Sequence, residues 1–249
     1  PLNEQDLKTM SEAVEVLRQF KGFSYFTEMS DIINRLEDHV ASARMKTTPV
    51  IDFEKNESLK GLDYLDTIYH AIVNEPPIQL KYRSFKARSA NSFIFYPYLL
   101  KEYRNRWFVY GVRGNGRILQ NLALDRIQSL EVLPQEHYIK NTFFDPNTFF
   151  DDLVGVTKNS GSVAEKVGFK VAAAEASFII TKPIHRSQQL VERLPDGSVI
   201  LEIEVVINHE LERVFFGYVD GIEILYPKTL VELMSRKLEK AAKQYTKSK

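Results

Sequence analysis

The apolar residues of this 249-residue chain change their spacing at Pro76-Pro77, and that change limits what the chain can fold into. Upstream, Leu62, Leu65, Ile68, Tyr69, Ile72 and Val73 recur at the three- and four-residue intervals of one helix face. The two prolines end that helix, because proline lacks the amide hydrogen and disfavours helical geometry in the residue before it. From Ile78 onward the spacing falls to two, the period of a strand. Strands are predicted at 78–82, 93–96, 99–103, 107–112, 118–123 and 129–133. Short strands with a turn every few residues give a small barrel or a strongly bent sheet, and full closure would remove its exposed edges.

Within this run, Trp107-Phe108-Val109-Tyr110-Gly111-Val112 is an uninterrupted strand-forming segment. Gly114-Asn115-Gly116 supplies the positive φ angles of a tight hairpin, and a second strand is expected from Ile118. Alternation sends Trp107 and Val109 to one face and Phe108 and Tyr110 to the other. The glycines do not open a helix, so they read as a turn and not as a phosphate loop.

The segments on either side differ in kind. Residues 3–20 read as an amphipathic helix capped by Asn3, with Leu7, Met10, Val14 and Leu17 on one stripe and Gly22 ending it. A second helix starts at Thr27 or Ser30 and carries Ile32, Ile33, Leu36 and Val40, and a polar stretch fills 41–58. Residues 137–156 form a connector with Phe143-Phe144, a helix start at Asp145-Pro146, and Phe149-Phe150. The polar, Gly- and Ser-bearing stretch 158–162 is the candidate domain boundary. Beyond it come a strand at 167–171, a helix at 172–180 and a hairpin of 189–193 with 198–206 about Pro195-Asp196-Gly197. A helix at 210–218, a strand at 221–226 and a last helix at 230–245 follow. That order, βαββαβ plus a helix, is the ferredoxin-like arrangement, so the fold class is α+β.

Several function classes lose their footing. The chain has no cysteine, which removes disulfides, thiolate zinc sites and a cysteine nucleophile, and suits a cytoplasmic protein. No apolar run approaches the roughly 18 residues of a membrane span, and the polar start is not a signal peptide. The five histidines lie at 39, 70, 137, 185 and 209 without short ligand spacing, so neither a metal nor another cofactor is expected. His185-Arg186-Ser187-Gln188 reads as a polar turn. No G-x-S-x-G motif and no carboxylate pair forced together by spacing supports catalysis, and the chain is not expected to be an enzyme.

The net charge of zero hides a segregation. Residues 1–80 hold 8 Lys and Arg against 14 Asp and Glu, residues 81–126 hold 10 against 2, and the remainder holds 15 against 17. Positive charge concentrated on the strand segment favours an anionic partner such as a nucleic acid, a nucleotide or phosphate. The alternative is a solvated strand face with cations guarding sheet edges. Arg83, Arg106, Arg113, Arg117 and Arg126 are the arginines tied most closely to the strands, and arginine suits planar, bidentate contact with phosphate. Tyr82, Tyr98, Trp107 and Tyr110 lie among them as stacking surfaces for bases, or else as barrel core. Arg126 has a rival partner in the neighbouring Asp125.

The residues of this segment carry a resemblance. Lys81-Tyr82-Arg83, Pro97-Tyr98-Leu99-Leu100-Lys101-Glu102-Tyr103, Asn105-Arg106-Trp107-Phe108-Val109 and Leu122-Ala123-Leu124-Asp125-Arg126-Ile127 resemble the WYL domain of bacterial transcriptional regulators. The C-terminal half is similar to the extension that follows this domain, through His185-Arg186-Ser187-Gln188, Asp196-Gly197 and Ile224-Leu225-Tyr226-Pro227. Two departures stand out. The Trp-Tyr-Leu triplet is Trp107-Phe108-Val109, and Ala123 occupies a position where many members carry arginine. Each takes away a polar contact.

The resemblance implies a helical linker over 1–75, a small SH3/Sm-like β-barrel over 76–136, a connector over 137–162 and a ferredoxin-like domain over 163–249. It implies a ligand-sensing barrel with Tyr82, Arg83, Arg106, Trp107, Tyr110, Arg113, Arg117, Asn121 and Arg126 as ligand-binding residues. The ligand would be a nucleotide or single-stranded nucleic acid, and the C-terminal domain would help to form a homodimer. A winged helix-turn-helix that reads duplex DNA should precede the linker. Residues 1–40 lack its short Gly-bearing turn and basic recognition helix, and they are acidic. The chain also starts at Pro1 without Met, so that reader is expected in a longer protein. Loss of anion binding on changing Arg113 or Arg126 to Ala is the expected signature of this reading. A non-switching interaction module and an enzyme acting on phosphorylated substrates are the rival classes.

Overall fold

The computed structural model describes residues 59–246 together with Asp6, Thr9, Asp31 and Arg35, which are helical. The helices read from 3–20 and from Thr27 or Ser30 onward otherwise lie outside the described residues, as does the polar stretch 41–58. The chain divides into two compact units, Pro1–Phe143 and Phe144–Lys249.

In the first unit a 3-10 turn, Leu62–Tyr64, leads into helix α1, Leu65–Asn74. The strands are β1 (Ile78–Tyr82), β2 (Asn91–Tyr103), β3 (Arg106–Arg113), β4 (Gln120–Ala123) and β5 (Ile127–Val132). They form one sheet in the order β4-β3-β2-β1-β5, with every neighbouring pair antiparallel. The strands at the two ends of that order are joined by one 3-10 turn, Leu124–Arg126, so the sheet bends round on itself. Among the described residues no ladder joins β4 to β5, and the turn does the closing. This is the bent arrangement expected of an SH3/Sm-like barrel. Leu65, Ile68 and Ala71 of α1 are buried with Ile78, Leu80, Phe95, Val109, Leu122, Leu124 and Ile127 in one core.

Two strand boundaries differ from the sequence reading. The strands expected at 93–96 and 99–103 are one continuous β2, with a register shift between Pro97 and Leu99. β1 pairs only as far as Phe95, so the amide that Pro97 lacks is not missed on that side. Tyr98 is the extra residue of the bulge, and Gly111 faces Pro97 across the ladder. A Cβ on Gly111 would stand 2.1 Å from the Tyr96 carbonyl oxygen, so only glycine fits there. The hairpin is also looser than expected. Gly116 N–H donates to Arg113 O at 2.9 Å, yet only Gly114 has positive φ, and β4 begins at Gln120. The Arg113–Gly116 turn has its positive φ at the first central residue, but the ladder resumes only where Gln120 pairs with Gly111, so the connection is longer than a two-residue hairpin.

The bulge also fixes the exit of the unit. Tyr98 donates its hydroxyl to Ile139 O at 2.9 Å, while the Tyr138 hydroxyl donates to Pro97 O. Tyr98 stacks on Phe143, and Tyr138 meets Tyr96 and Tyr98 edge-on. Burial, with Tyr96 beside it, pushes the Tyr98 phenol up to about 12, so it stays a donor.

The second unit contains β6 (Glu165–Val171), α2 (Ala173–Thr181), β7 (Gln189–Arg193), β8 (Val199–Val205), α3 (His209–Phe216), β9 (Ile222–Tyr226) and α4 (Lys228–Thr246). Its antiparallel sheet runs β7-β8-β6-β9, the ferredoxin-like order. Val167, Phe169, Val171, Leu201, Ile203, Leu211, Phe215 and Leu230 share its core. The helix expected from Asp145-Pro146 is a run of turns, with Asn147 N–H donating to the Asp145 side chain. Residues 151–158 then strap onto this unit. Asn208 accepts Leu211 N–H as the cap of α3 and donates to Val154 O and Thr157 O. Asp151 pairs with Arg186, and Asp152 with Lys158 at 2.8 Å.

Candidate functional site

The turn between β4 and β5 places two consecutive charged residues, Asp125 and Arg126, where the sheet folds back on itself. Gly61 packs against this turn at φ +84, and a Cβ there would lie 2.4 Å from the Leu124 carbonyl. Asp125 is 11% exposed and addresses two arginines. Arg106 Nε, from the start of β3, is 3.3 Å from Asp125 Oδ2, and Arg126 Nε is 3.8 Å from Asp125 Oδ1. That second spacing exceeds hydrogen-bond length, so both of its atoms are buried without a hydrogen bond.

Arg126 also faces Tyr82 and Phe85. Burial raises the Tyr82 phenol, with Arg126 and the Ala123 backbone pulling the other way. The phenol therefore remains protonated beside the cation. The Arg126 guanidinium lies 4.5 Å from the centre of the Phe85 ring. Arg83 N–H donates to Arg126 O at 3.1 Å, which ties the start of the β1–β2 loop to the turn. Two arginines share one carboxylate, so this group keeps a net positive charge. It presents guanidinium, phenol and an aromatic face together, a combination suited to a phosphate attached to a flat ring.

The nine residues expected to bind ligand do not all meet. Tyr82, Arg83, Arg106 and Arg126 gather around the Leu124–Arg126 turn. Arg113 lies at the other end of β3 from Arg106, about 23 Å along a regular strand. Its guanidinium is 4.0 Å from the centre of the Phe93 ring. Arg117 is exposed in the loop before β4. Trp107 is half-buried and packs against the barrel core. Tyr110 is 2% exposed, which leaves no ring face open for a base, and Asn121 stands opposite it in the ladder. Phe85 was absent from the expected set. Its signal was present in the sequence, as the lone aromatic in the basic stretch Arg83-Ser84-Phe85-Lys86-Ala87-Arg88.

Comparison with known families agrees with this architecture. A profile described as WYL domain matches residues 63–132, and one described as WCX domain matches residues 164–242. The described residues thus hold two domains, a bent β-barrel followed by a ferredoxin-like unit. The chain carries a WYL domain in the first unit and a WCX domain in the second. Comparison with curated proteins gave no match. Among solved structures, proteasome accessory factor B/C (PafBC) of Arthrobacter aurescens is similar at 15% identity and a TM-score of 0.31, covering 87% of this chain and 31% of that one. A CRISPR Cas-related protein is similar at 12% identity and a TM-score of 0.46, covering 75% and 53%. The chain therefore spans about a third of the first and half of the second.

Proposed function

We propose that the barrel senses a negatively charged ligand, a nucleotide or single-stranded nucleic acid, held at the Leu124–Arg126 turn. The observation that carries this reading is the Arg106–Asp125–Arg126 group with Tyr82 beside it. Asp125 draws both guanidinium groups toward one carboxylate without cancelling their charge, so a net positive charge is in place before a phosphate arrives. The local excess of 10 cations over 2 carboxylates in residues 81–126 supplies the field that draws an anion in.

Arg113 and Arg117 form a second basic position that a compact ligand at the turn would not touch. Binding acts as a signal only if it favours one arrangement of the regulator over another. The reader of that signal is a DNA-binding domain outside this chain, and the WCX unit takes part in pairing two copies.

A thermal-shift screen of nucleotides and short oligonucleotides tests the reading. A ligand at a hundred times its Kd stabilises the folded chain by about 2.7 kcal/mol, a shift of several degrees. Anionic probes are expected to raise the transition, and Arg126→Ala to abolish the rise. A screen in which no nucleotide or oligonucleotide shifts the transition contradicts it.

A further inference from the structure

The loop that joins β3 to β4 holds Asn115-Gly116, the one place in the sequence where glycine follows asparagine. Both residues are exposed, and among the described residues no hydrogen bond holds the Asn115 side chain. β3 ends at Arg113 and β4 begins only at Gln120, so no strand pairing covers 114–119. The Gly116 amide is tied only to Arg113 O, within its own turn. A segment closed by so few contacts opens at little cost.

The glycine cannot be exchanged freely. A Cβ on Gly116 would stand 2.7 Å from the Arg113 carbonyl oxygen, so the turn requires glycine after Asn115. Without a side chain, glycine also gives its backbone nitrogen the freest approach to the carbon of the preceding asparagine amide. Arg113 and Arg117 each lie two residues from Asn115, and no Asp or Glu occurs between Glu102 and Asp125. Positive charge this close favours loss of the Gly116 amide proton and negative charge on the attacked oxygen.

We infer that Asn115 is a site of spontaneous modification, converting to aspartate and isoaspartate through a cyclic imide. The Gly116 nitrogen gives up its proton to solvent and attacks Asn115 Cγ. The N–Cγ bond forms, the Cγ–Nδ2 bond breaks, and the amide nitrogen leaves as ammonia with a proton from water. Water then opens the imide. Attack at Cγ gives aspartate, and attack at the main-chain carbonyl gives isoaspartate, with the ring nitrogen regaining a proton in both cases. No oxidant or cofactor enters. Either product sets a carboxylate between Arg113 and Arg117, and isoaspartate also lengthens the backbone by one carbon. The basic loop thus loses one unit of positive charge as the protein ages, independently of any ligand at the Leu124–Arg126 turn.

The test incubates the full chain and its Asn115→Gln variant at neutral pH in water enriched in heavy oxygen. Trypsin in ordinary water then releases the fragment 114–117 for mass spectrometry. This fragment is expected to exchange its amide for one heavy oxygen before any other asparagine does so, and to elute as two isomers. An isoaspartyl methyltransferase should label the aged chain and leave Asn115→Gln unlabelled, because glutamine closes its larger ring far more slowly. A parallel sample unfolded in urea shows whether the fold protects the site. If the fragment converts in urea and stays unchanged in the folded chain, the loop is closed and the inference fails. If another asparagine converts first, such as Asn159 before Ser160, Asn115 is not the site. Absence of conversion in both samples overturns it as well.

Discussion

Arg126 and Arg113 looked equivalent in the sequence, as arginines tied to strands in the same basic segment. The structure gives them different neighbours. Arg126 is a quarter exposed, held by Asp125 and set against Tyr82 and Phe85, whereas Arg113 covers Phe93 at the far end of β3. Arg126→Ala is expected to weaken binding of the pentanucleotide dT5 at least tenfold, since hydrogen bonds to charged groups contribute about 1.5–3 kcal/mol. Arg113→Ala should change that binding by no more than about threefold while costing about 0.5–1 kcal/mol of stability from its lost ring contact. Equal losses in the two variants would show that the cluster at the turn is not the site. A second residue-scale expectation concerns His185. Burial lowers its pKa, and Arg186 acts in the same direction against the Asp151 backbone and the Asp151 and Asp152 charges. A proton is therefore taken up more readily by the unfolded chain. Stability is complete above the ordinary value of 6.5 and falls as the pH drops through it toward the lowered value. Urea denaturation between pH 7.5 and 5 should show that decline, and His185→Gln should flatten it.

At the scale of elements, most of the fold was legible because it follows from period and punctuation. α1, β1 and all the strands and helices of the second unit lie where spacing and proline placed them, give or take a residue or two. What was not legible depended on partners. Pro97 reads as a strand break in isolation, and it is tolerated only because β1 stops pairing at Phe95 and Gly111 lets β3 approach. Gly111→Ala should therefore destabilise the barrel by about 2–3 kcal/mol, measured by chemical denaturation, because the clash is with backbone and cannot be relieved by a side-chain rotation. A cost below about 0.5 kcal/mol would mean the bulge is softer than its geometry indicates. The paired tyrosines at the exit make a smaller claim. Tyr138→Phe keeps the ring and removes one donor to Pro97 O, so about 1 kcal/mol should be lost. Hydrogen exchange should speed up over 137–143, the segment that Tyr98 and Tyr138 fasten. The candidate site was legible only as a list. Nothing in the spacing says that Arg106 reaches Asp125 across the closing turn, or that Tyr110 is swallowed by the fold.

For the molecule as a whole, charge and division carry the account. The local excess of positive charge lies on the barrel, whose segment 81–126 holds 10 cations and 2 carboxylates in a chain of zero net charge. The boundary between units falls after Phe143, ahead of the polar stretch 158–162 that composition singled out. The reason lies in the strap. Val154 is buried in the core of the second unit, and Asn208 holds the carbonyls of Val154 and Thr157, so the connector is part of that unit's packing. Composition marks where a chain is polar, and such long-range contacts decide where a unit ends. The central claim is that the Leu124–Arg126 turn binds phosphate through Arg106 and Arg126. Its most direct measurement is the anisotropy of fluorescein-labelled dT5 titrated with the chain at 50 and 200 mM salt, for the unaltered protein and for Arg126→Ala. Three phosphate contacts on a single strand give a salt slope near −2, so affinity should fall about 20-fold over that range. Arg126→Ala should bind more weakly and lose roughly one contact from the slope. Binding that ignores salt, or a variant with the affinity and slope of the unaltered chain, would contradict the claim.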